Sequence, residues 1–135
     1  MKRKKLNIGV VGIGYLGKYH LEKFINNKKC DTKWVVDTNL DNIDLNGHDL
    51  IQKSSNYKEI LDDIDAVSLV TPTKMHFKIA KFFLENKKHV LIEKPMTETV
   101  AQATKLVDLA KKNKVILQVG HLERFNPVMK RLTKE

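Results

Sequence analysis

The sequence contains a single cysteine, Cys30, in 135 residues. No internal disulfide can form, and neither can a cysteine-based zinc cluster. No metal site is expected, and a reducing, cytoplasmic setting is the natural expectation. Cys30 has no activating neighbour in sequence and reads as structural or incidental, just ahead of a predicted strand. Long hydrophobic runs are also missing, so no membrane span and no membrane partner is expected. The start, Met1-Lys2-Arg3-Lys4-Lys5 followed by Leu6 to Gly17, imitates a signal peptide, but glycines and Asn7 interrupt it. Lys18 follows with no small-residue cleavage site. Acidic residues are in short supply, 16 against 25 basic, for a net charge of +9. That balance raises the question of a polyanionic partner. The lysines, however, fall in scattered pairs at Lys28-Lys29, Lys87-Lys88 and Lys111-Lys112, near predicted helix ends. There they complement the helix dipole and stay solvated. Basic residues are not interleaved with aromatics, which make up 7% of the chain, so no nucleic-acid partner is expected.

What the sequence does have is alternation. Its hydrophobic fraction of 41% suffices for one packed core. Leu6–Val11 is a short β-branched run ending in glycines, and it predicts a buried strand. Tyr15 to Lys28 predicts a helix with Gly17, Leu21, Phe24 and Ile25 facing inward. Further strands are expected at Thr32–Val36, Leu50–Gln52, Ala66–Val70, His89–Ile92 and Val115–Val119. A short helix is expected at Tyr57–Leu61 and longer ones from Lys74 to Glu85 and from Val100 to Ala110. In the first of these His76, Ile79, Ala80 and Phe83 share a face; in the second Val100, Ala103, Val107 and Ala110 do. Strands alternating with helices imply right-handed crossovers and an α/β fold, a doubly wound parallel sheet of the Rossmann type in strand order 3-2-1-4-5-6.

The chemistry begins at Gly12-Ile13-Gly14-Tyr15-Leu16-Gly17, which follows the first strand and opens a helix. In that context Gly-x-Gly-x-x-Gly is a dinucleotide fingerprint. The first glycine permits a tight turn, and the second lets backbone approach a pyrophosphate. The third lets helix and strand pack closely. Gly12, Gly14, Tyr15, Leu16 and Gly17 are thus candidate cofactor-binding residues, with helix N–H groups aimed at phosphate. Asp37 lies 20 positions beyond Gly17, where a ribose-binding acid is expected. Its carboxylate suits free ribose hydroxyls and repels a 2′-phosphate. Thr38, Asn39 and Leu40 offer no cation to hold such a phosphate, so NAD is expected and NADP fits less well. A plain strand-end turn is the other role open to Asp37. Gly12-x-x-x-x-Gly17-Lys18 also overlaps a P-loop, but Tyr19 stands where that motif needs Ser or Thr for magnesium.

Glu93-Lys94-Pro95 follows the strand His89–Ile92, and Val70-Thr71-Pro72-Thr73 with His76 precedes it. With the glycine turn, these motifs resemble the Gfo/Idh/MocA oxidoreductases over about residues 5–127. The resemblance implies that Thr71 and Pro72 line the cofactor cleft and that Glu93 contacts its nicotinamide end. It implies that Lys94 lies between nicotinamide and substrate as the catalytic, proton-handling group. A buried lysine beside a carboxylate suits that task, since burial disfavours its charged form. The alternative for Glu93-Lys94 is a surface ion pair in a turn. His76 reads as a core or capping residue rather than a ligand.

Gly120-His121-Leu122-Glu123-Arg124-Phe125-Asn126-Pro127 is similar to the branch acting on nucleotide sugars, such as UDP-N-acetylglucosamine 3-dehydrogenases. In that branch His121 and Arg124 would face the substrate; a helix-start salt bridge is the plainer role for Arg124. Residues 1–120 are expected to form the dinucleotide-binding domain. Residues 121–135 would begin a crossover toward a second, substrate-binding domain absent from this sequence. Members of the family place an Asp-x-x-x-His acid–base segment, and any oligomer contact, in that second domain. The expected function is NAD-dependent oxidation of a secondary hydroxyl on a sugar, nucleotide sugar or polyol. A truncated or split dinucleotide-binding module without its own turnover is the alternative.

Overall fold

The computed structural model describes residues 3–132. Met1, Lys2 and residues 133–135, which include the first residue of the expected domain and the last of the expected crossover, lie outside the described residues. Six parallel strands form one sheet in the order β3-β2-β1-β4-β5-β6, as the alternation predicts. They are β1 Leu6–Val11, β2 Cys30–Val36, β3 Gln52–Ser54, β4 Ala66–Leu69, β5 His89–Ile92 and β6 Leu117–Val119. The order reverses between β1 and β4, which creates the crevice where such sheets bind ligands.

Helix α1 (Tyr15–Ile25) covers one face of this sheet. Helices α2 (Thr73–Glu85) and α3 (Val100–Asn113) pack together on the other. The two faces carry separate apolar clusters. Val10, Val35 and Leu21 belong to the α1 side; Leu69, Phe83, Ile92 and Leu106 belong to the α2–α3 side. Strands buried on both faces need continuous apolar runs, which is why β1 and β4 lack polar alternation. Phe83 is wholly buried and meets Phe82 edge-on at a centroid distance of 5.2 Å. Thr99 starts α3 by accepting the Gln102 N–H at 3.2 Å, and Lys114 ends it in a left-handed conformation. A short 3-10 turn, Leu122–Phe125, and helix α4 (Pro127–Leu132) follow β6.

Several expected boundaries move. Strand β3 runs over Gln52–Ser54 rather than Leu50–Gln52, because its partners are Trp34 to Val36. Leu50 is left 94% exposed ahead of it. Cys30 is the first residue of β2, not the residue before it, and burial pushes its thiol pKa up. A thiol kept protonated is unreactive, in line with a structural role. The helix at Tyr57 is a 3-10 helix reaching Asp63. Strand β6 omits Val115 and Ile116. In α3 the buried positions are Leu106 and Ala110, whereas Val100 and Val107 face solvent. Packing against α2 selects the phase through the larger Leu106, and that rotates the β-branched residues outward.

Candidate active site

Five of the six parallel strands, all but β3, deliver a candidate residue just past the carboxyl end. The ladder continues for one more rung: Gly12 N–H donates to the Val36 carbonyl at 2.8 Å, and Val70 N–H to that of Val11 at 2.8 Å. Glu93 N–H likewise donates to the Leu69 carbonyl at 3.1 Å, and Gly120 N–H to that of Ile92 at 2.8 Å. The glycine turn, Asp37, Thr71, Glu93 and Gly120 are therefore aligned along one edge of the sheet, at the crevice the strand order opens.

The three glycines serve different ends. Gly12 has φ +94°, and a Cβ there would stand 2.5 Å from the Val70 carbonyl oxygen. The turn thus crosses β4 too closely for any side chain. A Cβ on Gly17 would overlap the Gly12 carbonyl oxygen. Its constraint is the turn's own backbone, a closer neighbour than the strand the sequence suggests. Around Gly14, by contrast, a Cβ would meet nothing within 4 Å. The protein makes no use of that space. No side chain caps the first turn of α1 and no acidic residue lies in it, so its N–H groups and partial positive charge face the open space beside Gly14. Tyr15 and Leu16 are exposed there, Tyr15 at 82%. What they could offer an anion is main-chain N–H rather than side chain. Tyr19 leans edge-on against Tyr15 at 5.4 Å, and a side-chain hydrogen bond with Tyr15 raises the Tyr19 pKa by favouring its protonated form. A phosphate cradle with a neutral, uncapped helix start and room above its middle glycine fits a dinucleotide pyrophosphate.

Asp37 ties the turn to the end of β2. Its Oδ2 accepts the Ile13 N–H at 2.8 Å, and its Oδ1 accepts the Asn39 N–H at 2.9 Å and, at 3.4 Å, the Asn42 amide. It is both a local turn residue and an anchor for the glycine loop. Beside it opens a cavity of about 350 Å³ whose lining includes Gly12, Asp37, Asn56, Tyr57, Thr71 and Pro72. Thr71 adds a hydroxyl with no hydrogen-bond partner among the described residues. Its carbonyl oxygen is 2.8 Å from His76 Nε2, while Nδ1 of that ring is 3.0 Å from the Pro95 carbonyl oxygen. His76, 1% exposed, thereby fastens the loop after β4 to the turn after β5.

That second turn holds Glu93 and Lys94, joined to Pro95 by a cis peptide. Glu93 is 5% exposed and Lys94 is exposed. The expectation of a buried lysine is corrected, since no element of the described chain covers it. Nor do the two side chains form a surface ion pair. The Glu93 carboxylate turns inward: Oε1 lies 2.9 Å from His20 Nε2, and Oε2 accepts the Lys94 backbone N–H at 3.2 Å. A Cβ on Gly120 would approach that carboxylate to 2.7 Å. His121 and Arg124 do come together, around a second hollow of about 500 Å³ with Gln118 and Phe125. Lys94 lines neither hollow. His20 and Ser68, which contact each other and lie behind Glu93, escaped the sequence reading. The available signal was a polar residue at the spacing of the inward stripe Gly17, Leu21 and Phe24.

Comparison with known proteins agrees with this geometry. The model of an oxidoreductase family with an NAD-binding Rossmann fold, Gfo/Idh/MocA, matches residues 6–121. The UDP-N-acetylglucosamine 3-dehydrogenase of Acidithiobacillus ferrooxidans is 31% identical over 128 residues, which is 94% of this chain and 40% of that protein. Its solved structure superposes with a TM-score of 0.86, covering 95% of this chain and 42% of that one. The scyllo-inositol 2-dehydrogenase (NAD(+)) of Bacillus subtilis is 32% identical over 128 residues, or 91% of this chain and 37% of that protein. GenD2 from gentamicin A biosynthesis, solved in complex with NAD, is 28% identical with a TM-score of 0.86, covering 97% of this chain and 38% of that one. The chain thus spans about 40% of the length of the relatives it matches. It belongs to the Gfo/Idh/MocA oxidoreductase family and carries that family's NAD-binding Rossmann fold.

Proposed function

We propose that the chain is the cofactor-binding part of an NAD-dependent dehydrogenase that oxidises a secondary hydroxyl of a sugar, nucleotide sugar or polyol. The observation that carries this reading is the unfilled space above Gly14 at an uncapped helix start. The Gly12–Gly17 turn holds the pyrophosphate and Asp37 the adenosine ribose. Thr71 and Pro72 wall the cleft, and Glu93 and Lys94 stand at the nicotinamide end. NAD bound there supplies the hydride acceptor. Lys94 orients the substrate hydroxyl and handles its proton, and substrate groups pack over it to provide the burial this chain lacks. His121 and Arg124 face a polyhydroxyl or anionic substrate. The nucleotide-sugar branch is favoured by Gly120–Pro127 and by the dehydrogenase from A. ferrooxidans among the relatives. The family resemblance puts the acid–base histidine in a second domain, and these 135 residues span about 40% of the relatives' length. Residues 121–135 are read as the beginning of a crossover to such a domain, and turnover by the 135 residues alone is expected to be negligible. A dinucleotide-binding module without turnover is the second reading, favoured by the same coverage of about 40%.

The direct test is titration with NADH, NAD and NADPH. Saturable binding with NAD(H) preferred is expected, and failure of both NAD and NADH at millimolar concentration refutes the proposal. A second test concerns Asp37. A carboxylate has about four acceptor positions, and the 3.4 Å contact from Asn42 is easily given up for ribose hydroxyls. Asp37→Asn keeps an oxygen for the Ile13 N–H but loses the charge. It should weaken NADH about tenfold, the usual worth of a charge-assisted hydrogen bond, and weaken NADPH less or even favour it. Equal weakening of both would remove Asp37 from the ribose.

A further inference from the structure

His20 lies on α1 just beyond the glycine turn and reaches across the sheet edge. Its Nδ1 is 2.8 Å from Ser68 Oγ on β4, and its Nε2 is 2.9 Å from Glu93 Oε1 after β5. The order Ser–His–Glu imitates a hydrolytic triad. Ser68, however, is 0% exposed, so no substrate atom reaches its oxygen and nucleophilic chemistry is excluded. The direction of the bonds follows from the acceptors. An ionised Glu93 carboxylate only accepts, so Nε2 donates to it; in the neutral ring Nδ1 then accepts from the Ser68 hydroxyl. Ser68 in turn holds the ring in one orientation.

Glu93 is the junction. One oxygen is held from α1, the other accepts the Lys94 N–H, and Gly120 packs against the same group. We propose that His20 is a positioning residue: by holding Glu93 through Nε2, it makes the placement of Lys94 depend on α1, whose first turn forms the phosphate cradle. This rests on the dinucleotide reading above, with the nicotinamide end at Glu93–Lys94. Removing the contact frees the Glu93 carboxylate to rotate and leaves the Lys94 backbone without its acceptor. The cradle keeps its geometry, because Gly12, Gly17 and the Ile13–Asp37 bond fix it independently.

The test compares two ligands on the 135-residue chain. ADP-ribose fills the cradle and the ribose site but has no nicotinamide; NADH has both. His20→Asn keeps an oxygen facing Ser68 but falls short of Glu93. His20→Gln places an amide N–H at the reach of Nε2. His20→Asn should leave the ADP-ribose Kd within about twofold of wild type and weaken NADH about tenfold, the worth of one hydrogen bond to a charged group. His20→Gln should restore most of the NADH affinity. In the ligand-free protein the Lys94 backbone amide resonance should shift in His20→Asn and return in His20→Gln. Parallel weakening of both ligands would make His20 a mere prop of α1 and overturn the proposal, as would no change in either. Wild-type protein that binds neither ligand would overturn the dinucleotide reading along with it. A His20→Asn chain too unstable to titrate, with a His20→Gln chain equally so, would also place the role in the fold and not at Lys94.

Discussion

Gly14→Asp should stabilise the protein and abolish useful cofactor binding at the same time. Gly14 is the N-cap of α1, with φ −74° and ψ −163°, an extended conformation open to any residue. Aspartate is among the best N-cap residues and glycine only a moderate one. Its charge also complements the helix dipole, and the first turn holds no other acid. Together these contribute about 0.5–1 kcal/mol, or roughly 2–4 °C in the unfolding midpoint of a chain this long. Beyond its two chain neighbours, no atom of the described residues lies within 4 Å of the new Cβ, so no clash offsets the gain. The same carboxylate stands where the pyrophosphate should lie. Two like charges about 4 Å apart at an effective dielectric of 20 repel by about 4 kcal/mol, and two thirds of that is roughly a hundredfold in Kd. Thermal melts with NADH titrations at two salt concentrations check both halves, and the binding penalty should shrink as salt rises. A stable Gly14→Asp protein that binds NADH within about tenfold of wild type would move the phosphates away from this turn.

The sequence makes legible whatever depends on local pattern. Leu6–Val11 followed by glycines can be little other than a buried strand and a tight turn. The 20-residue step from Gly17 to Asp37 identifies the partner before any contact is known. The strand order follows from alternation and crossover handedness. What escaped depends on register. Leu50 resembles a strand residue, but β3 is defined by Trp34–Val36 and begins at Gln52. Val100 and Val107 resemble a buried stripe, but α3 presents Leu106 and Ala110 to the core. The largest omission is the site's buried polar link. His20 and Glu93 are 73 residues apart, and nothing in either local sequence announces the other. Glu93 was legible as a site residue only through its motif, and that motif does not show it turned inward while Lys94 stays exposed.

Gly17→Ala should have the opposite effect on stability to Gly14→Asp, three residues away in the same motif. Replacing a helical glycine by alanine ordinarily stabilises by about 0.5–1 kcal/mol. Gly17 lies inside α1 and is buried, so propensity alone predicts a gain. The structure reverses the sign. The added Cβ would overlap the Gly12 carbonyl oxygen and stand 2.8 Å from its carbon. The obstacle is main chain, which has no rotamer to give. Gly12 cannot retreat either, since its own Cα faces the Val70 carbonyl and its N–H is held by Val36. The start of α1 must therefore move outward, opening the interface that buries Leu21 and stretching the bonds from Ile13 to Asp37 and from His20 to Glu93. Overpacking of this kind costs about 2–3 kcal/mol net of the propensity gain, which lowers the unfolding midpoint by roughly 7–11 °C. NADH affinity should fall as well, because the displaced N–H groups no longer converge on the phosphates. Denaturant unfolding beside Gly14→Asp separates the two causes: one glycine is required by the protein's own backbone and the other by the ligand. A Gly17→Ala chain as stable as wild type would mean that the turn has slack, and the division of labour among the three glycines would fall with it.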